Sequence, residues 1–486
     1  MLGCSPAVTR DPTRSALVVI DMQNDFLVAG GAFPRRHVEP TQLASTVAWM
    51  VAAARQQGRT IAWVTSAYGE LPGPTEALRG HTHAGAPCCV PGSWGAALVA
   101  PLAALPTAGE LVVTKRWYSA FRDTELHAQL LAAGVDTVVL CGVATNVCVL
   151  ATARDARRLG LAVEVLADAT AAATSAKHLL ALREIEALGG RRRGWGELLA
   201  EAPAQVTGIG AGAAALRCGA LAGCVGDDTY EALAREVDWQ VMYHRGGEVP
   251  RRVAIQGARA ADGVEPLYRH PVDEQPPLRA FTPTVDAIRQ AVAAQVGHPL
   301  NHCLLQLYRD GRDWIGEHAD KTLDLVRPSS IINVSLGRMR TMTLRSKRSA
   351  EGDPRASQRI PLPHGSWFRM DLETNRAMFH AIKQEPDEGA AGPRVSLTFR
   401  NIGTFWDPTS GAVWGVGAPT RDRAQAQAQA QARAALAPEA AAALERAEAE
   451  QMLRLFRDEN QDPSFDADAY RPGFSIPNLR SMLRST

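Results

Sequence analysis

Cys148 stands in the stretch CGVATNVCVLATARDARRLG and is either a packed thiol or a nucleophile. Two other residues favour the nucleophile. Asp21 directly follows the apolar run ALVVI, and Lys115 follows ELVVT by one residue. Runs of this kind read as buried parallel strands, and in such sheets reactive groups gather at the carboxyl ends of the strands. Cys148 itself follows TVVLCGVATN and opens a helical pattern, so the three residues come from three strand ends. A helix N-terminus and a nearby ammonium both favour a thiolate. Asp21 can take the thiol proton and return it to a leaving amine, while N–H groups of the turn GVATNVC hold an oxyanion. A thiol activated in this way reacts with iodoacetamide near neutral pH ahead of the other seven cysteines of the chain.

A second constellation lies far downstream. DWIGEHADKTLD contains His318 and Asp320, two residues apart and therefore on one face of a strand. A distant His380 in RAMFHAIKQ supplies a second imidazole. Two histidines and one carboxylate on one face leave three coordination positions open, the arrangement of non-haem Fe(II) oxygenases. PRVSLTFRNIG carries Arg394 and, six residues on, Arg400, and an Arg on a neighbouring strand suits the far carboxylate of a dicarboxylic co-substrate through a bidentate pair.

The elements that must position these groups fall into three textures. From Ser15 to about Leu188, apolar runs (ALVVI, TIAWVT, ELVVT, TVVLC, AVEVL) alternate with helical stretches, each stopped by a glycine. That rhythm predicts a parallel sheet covered on both faces. The Gly- and Ala-rich residues 201–227 read as a linker. From Asp228, shorter alternating strands (SIINVSLG, RTMTLRSK, SWFRMDL, RVSLTFRNIG) predict antiparallel sheet in a barrel or sandwich. After Trp406 the Ala- and Gln-rich composition predicts a tail that is partly helical and carries no chemistry.

The bulk composition sets limits. The chain has 486 residues and a formal net charge of +1, so it holds several domains and no global basic field. Eight cysteines without a C-x-x-C pair predict free thiols in a reducing compartment. The N-terminus has no apolar core of a secretory signal, and no apolar run reaches the length of a membrane span, so an intracellular protein of cytoplasm or nucleus is expected.

ALVVIDMQNDFL, TKRWYSAFRDTEL and LCGVATNVCVLATARDA resemble the isochorismatase-like hydrolases, over roughly residues 12 to 190. The resemblance implies a Rossmann-like three-layer α/β fold over 12–200, an Asp21–Lys115–Cys148 triad and a cis peptide near Val143–Ala144. It also allows a homo-oligomer through this domain. Cys148 argues for the amidohydrolase branch. The Asp-x-His metal motif of the nicotinamidases is missing after the second strand, His81 and His83 read as solvated loop residues, and no cofactor is expected here.

The pieces REVDWQVM, NHCLLQLYRDGRDWIGEHADKT, SIINVSLGRMRTMTLRSK, HAIKQE and RVSLTFRNI resemble the AlkB-like 2-oxoglutarate and Fe(II)-dependent dioxygenases, over about residues 228 to 406. The resemblance implies a double-stranded β-helix, or jelly roll, with 407–486 left as a tail. It implies that His318, Asp320 and His380 hold Fe(II), that Arg394 pairs with 2-oxoglutarate, that Tyr308 donates to the co-substrate, and that Arg400 borders its pocket. O2 is the oxidant. Where this group has Asn two residues before the Tyr, the chain has Gln306.

Two substrate classes follow. Alkylated nucleic acid is suggested by the resemblance and by RMRTMTLRSKR, where Arg338, Arg340, Arg345, Lys347 and Arg348 can follow a phosphate backbone. Trp314, Trp239 or Tyr268 can stack on a flipped base. A small metabolite is suggested by the fusion itself, oxidation followed by amide cleavage. A third reading makes the hydrolase half an inactive dimerisation scaffold.

Overall fold

The computed structural model describes residues 11–33, 38, 40–68, 88–221, 223–226, 228–244, 247–271, 276–347, 355–385 and 392–479. His81, His83 and Arg348 lie outside them. The chain divides into two compact units, Met1–Val206 and Thr207–Thr486.

The first unit is built on six parallel strands: β1 (Ser15–Ile20), β2 (Thr60–Ser66), β3 (Leu111–Lys115), β4 (Thr137–Val143), β5 (Ala162–Ala171) and β6 (Arg191–Arg193). Their order is β3-β2-β1-β4-β5-β6. β1 and β4 are buried at every position, which is why they read as unbroken apolar runs. The helices Pro40–Gln56, Leu150–Arg158 and Ser175–Ala187 connect the strands and bury apolar faces. Gly142 has φ +105, and a Cβ there would stand 2.1 Å from the Ile20 carbonyl oxygen, so only glycine lets β4 lie against β1 at this point.

The second unit is mainly antiparallel. An eight-stranded sheet carries His302–Tyr308, Arg394–Arg400, Ser330–Gly337 and Ser366–Asp371 side by side. A four-stranded sheet carries Ile315–His318, Met378–Ile382, Arg340–Ser346 and Ser357–Leu362. These two sheets form the expected jelly roll. In Arg394–Arg400 the odd residues Val395, Leu397 and Phe399 enter the apolar core, and Arg394, Ser396, Thr398 and Arg400 line a cavity on the opposite face.

The linker expectation is corrected. Residues 201–227 include the strands Ala204–Ile209 and Ala214–Cys218, the second pairing antiparallel with Ser366–Asp371, and Leu221 belongs to the apolar core. Small residues had hidden the alternation in AALRC. The tail is helical over Arg423–Ala434 and Pro438–Gln461. On the second helix Ala449, Met452 and Phe456 form one stripe, buried with Leu323, Tyr470, Phe474 and Ile476. Among the described residues no helix is long and apolar enough to cross a membrane.

Candidate active sites

The carboxyl ends of four neighbouring strands build the first site. Lys115 is the last residue of β3 and pairs in register with Ser66, the last of β2. Asp21 leaves β1 with φ +52, and Cys148 sits in a π-helical turn, Thr145–Val149, just beyond β4. The Val143–Ala144 peptide ahead of that turn is cis. Lys115 Nζ lies 2.8 Å from Asp21 Oδ2, donates to Ser66 Oγ at 2.8 Å and to the Trp117 carbonyl at 3.1 Å, and stands 3.5 Å from Cys148 Sγ. Ser66 in turn donates to Asp21 Oδ1 at 2.9 Å, with the Tyr68 hydroxyl 3.0 Å away. Asp21 and Lys115 are wholly buried and Cys148 nearly so.

The electrostatics differ from the sequence expectation in one respect. Burial pushes the Cys148 thiol up to about 12, the Asp21 carboxylate adds to this, and Lys115 only partly offsets it. The resting group is a neutral thiol hydrogen-bonded toward Asp21, and neither the turn nor the ammonium makes it a thiolate at neutral pH. Burial also works against the charge on Lys115, but Asp21, Cys148 and Tyr68 outweigh it and hold the ammonium above its ordinary range. Ser66 and Tyr68 were not singled out from the sequence, although Ser66 ends TIAWVTS and the strand-end rule covers it. Asp25, Cys88 and Cys89 also bring ligand-type atoms within 4.8 Å of one another. Both Asp25 oxygens already accept backbone N–H groups, from Ala32 and Cys89, and the two sulfurs contact each other at 3.6 Å.

The second site lies in the jelly-roll cavity. His318 and His380 are direct cross-strand partners, with ring centroids 4.2 Å apart. Asp320 Oδ1 is 3.9 Å from Nε2 of each. His318 Nδ1 lies 2.8 Å from the Gly316 carbonyl, which fixes the proton on Nδ1 and leaves Nε2 free to bind a metal. Burial lowers His318, and burial together with the neighbouring His318 brings His380 down to about 3, so both rings are neutral ligands. Burial alone would raise Asp320, but Arg400, 2.6 Å away, holds its carboxyl well below the usual range. These donors fit a divalent metal of the Fe(II) type.

The two arginines have different partners. Arg400 Nη2 contacts Asp320 Oδ2 at 2.6 Å, and its guanidinium covers the Tyr268 ring at 4.3 Å. Arg394 is equally buried, and its contacts are neutral: Nε donates to Ser335 Oγ at 2.8 Å and Nη2 to Asn333 Oδ1 at 3.3 Å. Its Nη1 has no hydrogen-bond partner among the described residues. Burial lowers Arg394 to about 10. Tyr308, the register partner of Arg394, stacks 5.2 Å from its guanidinium, and the Tyr308 hydroxyl lies 3.5 Å from Gln306 Oε1. A buried guanidinium with an open N–H, beside neutral hydroxyl and amide groups, fits one carboxylate of a small dicarboxylate such as 2-oxoglutarate.

The expected nucleic-acid contacts fare unevenly. Arg340 is corrected: it is 1% exposed and donates to the carbonyls of Asp310, Asp313 and Lys383, which leaves no group for a phosphate. Arg345 pairs with Glu317, and Lys347 donates to the Glu459 carbonyl. Tyr268 is buried under Arg400. Arg338 is exposed, and so is Trp314, at 41%. Asn375 had no sequence signal, yet it brackets the Asp320 backbone, accepting its N–H and donating to its carbonyl at 2.9 Å each.

Comparison with known proteins finds a family match in each of the two units. Residues 15–194 match the model of the isochorismatase domain, and residues 226–400 match that of the 2OG-Fe(II) oxygenase superfamily. A ureidoacrylate amidohydrolase, RutB of Methylobacterium radiotolerans, is 35% identical over 201 residues, covering 38% of this chain and 77% of the relative. The human DNA oxidative demethylase ALKBH2 is 31% identical over 187 residues, covering 36% of this chain and 68% of the relative. The chain belongs to both families. An isochorismatase family protein of known structure from Desulfovibrio vulgaris is 31% identical, covering 38% of this chain and 96% of its own, with a TM-score of 0.35. The two family models and the two relatives in sequence make the chain an isochorismatase-type hydrolase fused to a 2OG-Fe(II) oxygenase of AlkB type.

Proposed function

We propose that the oxygenase removes methyl groups from alkylated nucleic acid by oxidation, and that the hydrolase cleaves a small amide or ureido compound through Cys148. The observation that carries the first half is Arg394, a buried cation with an open N–H beside three converging metal-type donors. His318, Asp320 and His380 would hold Fe(II), and Arg394 with Tyr308 and Gln306 would hold 2-oxoglutarate. Bound there, the metal with O2 and 2-oxoglutarate supplies C–H hydroxylation coupled to loss of CO2, and a hydroxylated N-methyl group departs as formaldehyde. Arg400 keeps the Asp320 carboxylate ionised and oriented. Exposed Trp314, four residues before His318, offers a stacking face for an unpaired base, and Arg338 a phosphate contact. The name of the human relative supports nucleic acid as substrate.

In the hydrolase, Asp21 takes the Cys148 proton as sulfur attacks the carbonyl carbon. The C–N bond then breaks, and Asp21 returns the proton to the leaving nitrogen. Water, deprotonated by Asp21, cleaves the thioester and restores the thiol. Lys115 remains an ammonium throughout: it balances the Asp21 carboxylate at rest and the negative charge from the sulfur while Asp21 holds the proton. The name of the bacterial relative supports a ureido or amide substrate.

A small-metabolite substrate for the oxygenase is the second reading. The internal use of Arg340, Arg345 and Lys347 favours it, because these groups are lost to a phosphate-binding surface. Formaldehyde release from N-methylated single-stranded oligonucleotides, with Fe(II), 2-oxoglutarate and air, separates the two. Release that disappears in His318→Ala and weakens steeply as salt rises supports the nucleic-acid reading. Succinate formation that depends on His318, without formaldehyde, supports the metabolite.

A further inference from the structure

The strand that carries His318 ends there, and the chain leaves the sheet with Asp320 still to be positioned. The next four backbone N–H groups have side-chain acceptors. Ala319 donates to Asn460 Oδ1 at 3.0 Å, Asp320 to Asn375 Oδ1 at 2.9 Å, Lys321 to the Tyr268 hydroxyl at 3.1 Å, and Thr322 to Glu459 Oε1 at 3.0 Å. Two of the four acceptors come from the helix Pro438–Gln461, beyond the residues that match the oxygenase family model. One of these, Asn460, takes the N–H of the residue between two of the metal-type donors.

The helix is itself held firmly. Lys321 Nζ donates to the Phe456 carbonyl and Lys347 Nζ to the Glu459 carbonyl, each at 2.7 Å, so two cations bind near its C-terminal end, where the helix dipole favours them. Tyr470 donates to Glu459 Oε2 at 2.7 Å, and Arg269, ion-paired with Asp324, donates to the Phe474 and Ile476 carbonyls. Asn460 and Glu459 therefore project from a fixed element.

We propose that the C-terminal segment completes the oxygenase metal site, with Asn460 and Glu459 as positioning residues that fix the backbone from Ala319 to Thr322. The proposal rests on the assignment of His318, Asp320 and His380 as metal ligands. Without Asn460 the Ala319 N–H is left without its acceptor, and the turn that aims the Asp320 carboxylate at the two imidazoles loosens. Partners outside a ligand shell change metal affinity by about 10–100-fold, and Asn460, acting through a backbone group, belongs at the lower end.

The test is Co(II) titration of the full chain, followed through the visible absorption of the bound ion, in wild type, Asn460→Ala, Asn460→Asp and His318→Ala. Asn460→Ala is expected to bind Co(II) about tenfold more weakly and with an altered spectrum. Asn460→Asp keeps the acceptor oxygen and is expected to restore most of the affinity. Wild-type affinity and spectrum in Asn460→Ala, or equal losses in the Ala and Asp variants, would overturn the proposal. Binding by wild type no tighter than by His318→Ala would instead overturn the metal-site assignment beneath it.

Discussion

The two sites handle buried charge in opposite ways. In the hydrolase, Lys115 lies on Asp21 at 2.8 Å, and the nucleophile is held as a neutral thiol. The site is internally balanced and needs only its substrate. In the oxygenase, Asp320 is matched by Arg400, but Arg394 is buried against neutral groups and two neutral imidazoles face one another. There Arg394 has no anion until a carboxylate enters, and the facing imidazoles have no cation until a metal does. A self-contained nucleophile site and a site built around added components call for different tests.

The largest expected effect is in the hydrolase. Lys115→Met leaves Asp21 buried without its cation, and removal of one partner from a buried pair costs about 3–5 kcal/mol. Denaturant unfolding should show that loss, along with loss of hydrolysis; unchanged stability would mean that the pair is not the buried balance described. Arg394→Met should behave in the opposite sense. It removes a buried cation that has no anion, so stability should hold or rise, while the thermal stabilisation by Mn(II) with 2-oxoglutarate disappears. For wild type that stabilisation is about 2.7 kcal/mol at a ligand concentration of 100 times Kd. A destabilised Arg394→Met that still responds to 2-oxoglutarate would break the comparison. The smallest effect is kinetic. Because the Cys148 thiol is raised, it stays protonated through neutral pH, and its alkylation by iodoacetamide should climb about tenfold per pH unit from pH 7 to 10 without a plateau. A plateau near neutrality would restore the resting thiolate.

The sequence made the strand-end residues legible because the buried parallel strands are unbroken apolar runs and the reactive groups follow them directly. The jelly-roll ligands were legible for a similar reason. A spacing of two, and the even spacing from Arg394 to Arg400, keeps side chains on one face of a strand. Which arginine meets Asp320 was not legible, since that depends on where the loop after His318 turns back. The basic run misled because Arg340 is taken up by backbone carbonyls in two loops, invisible as residue types, and by the distant Glu385. Asn460 was beyond reach: it contacts Ala319 from 141 positions away, within a helix whose sequence bears no mark of a metal site.

The most direct measurement is hydrogen exchange by mass spectrometry on the full chain, with and without Mn(II) plus 2-oxoglutarate. The account predicts new protection in His302–Tyr308, Ile315–His318 and Arg394–Arg400, lost in Arg394→Met, with β1, β3 and the Cys148 turn unchanged. No protection around Arg394, or equal protection at Cys148, would contradict it.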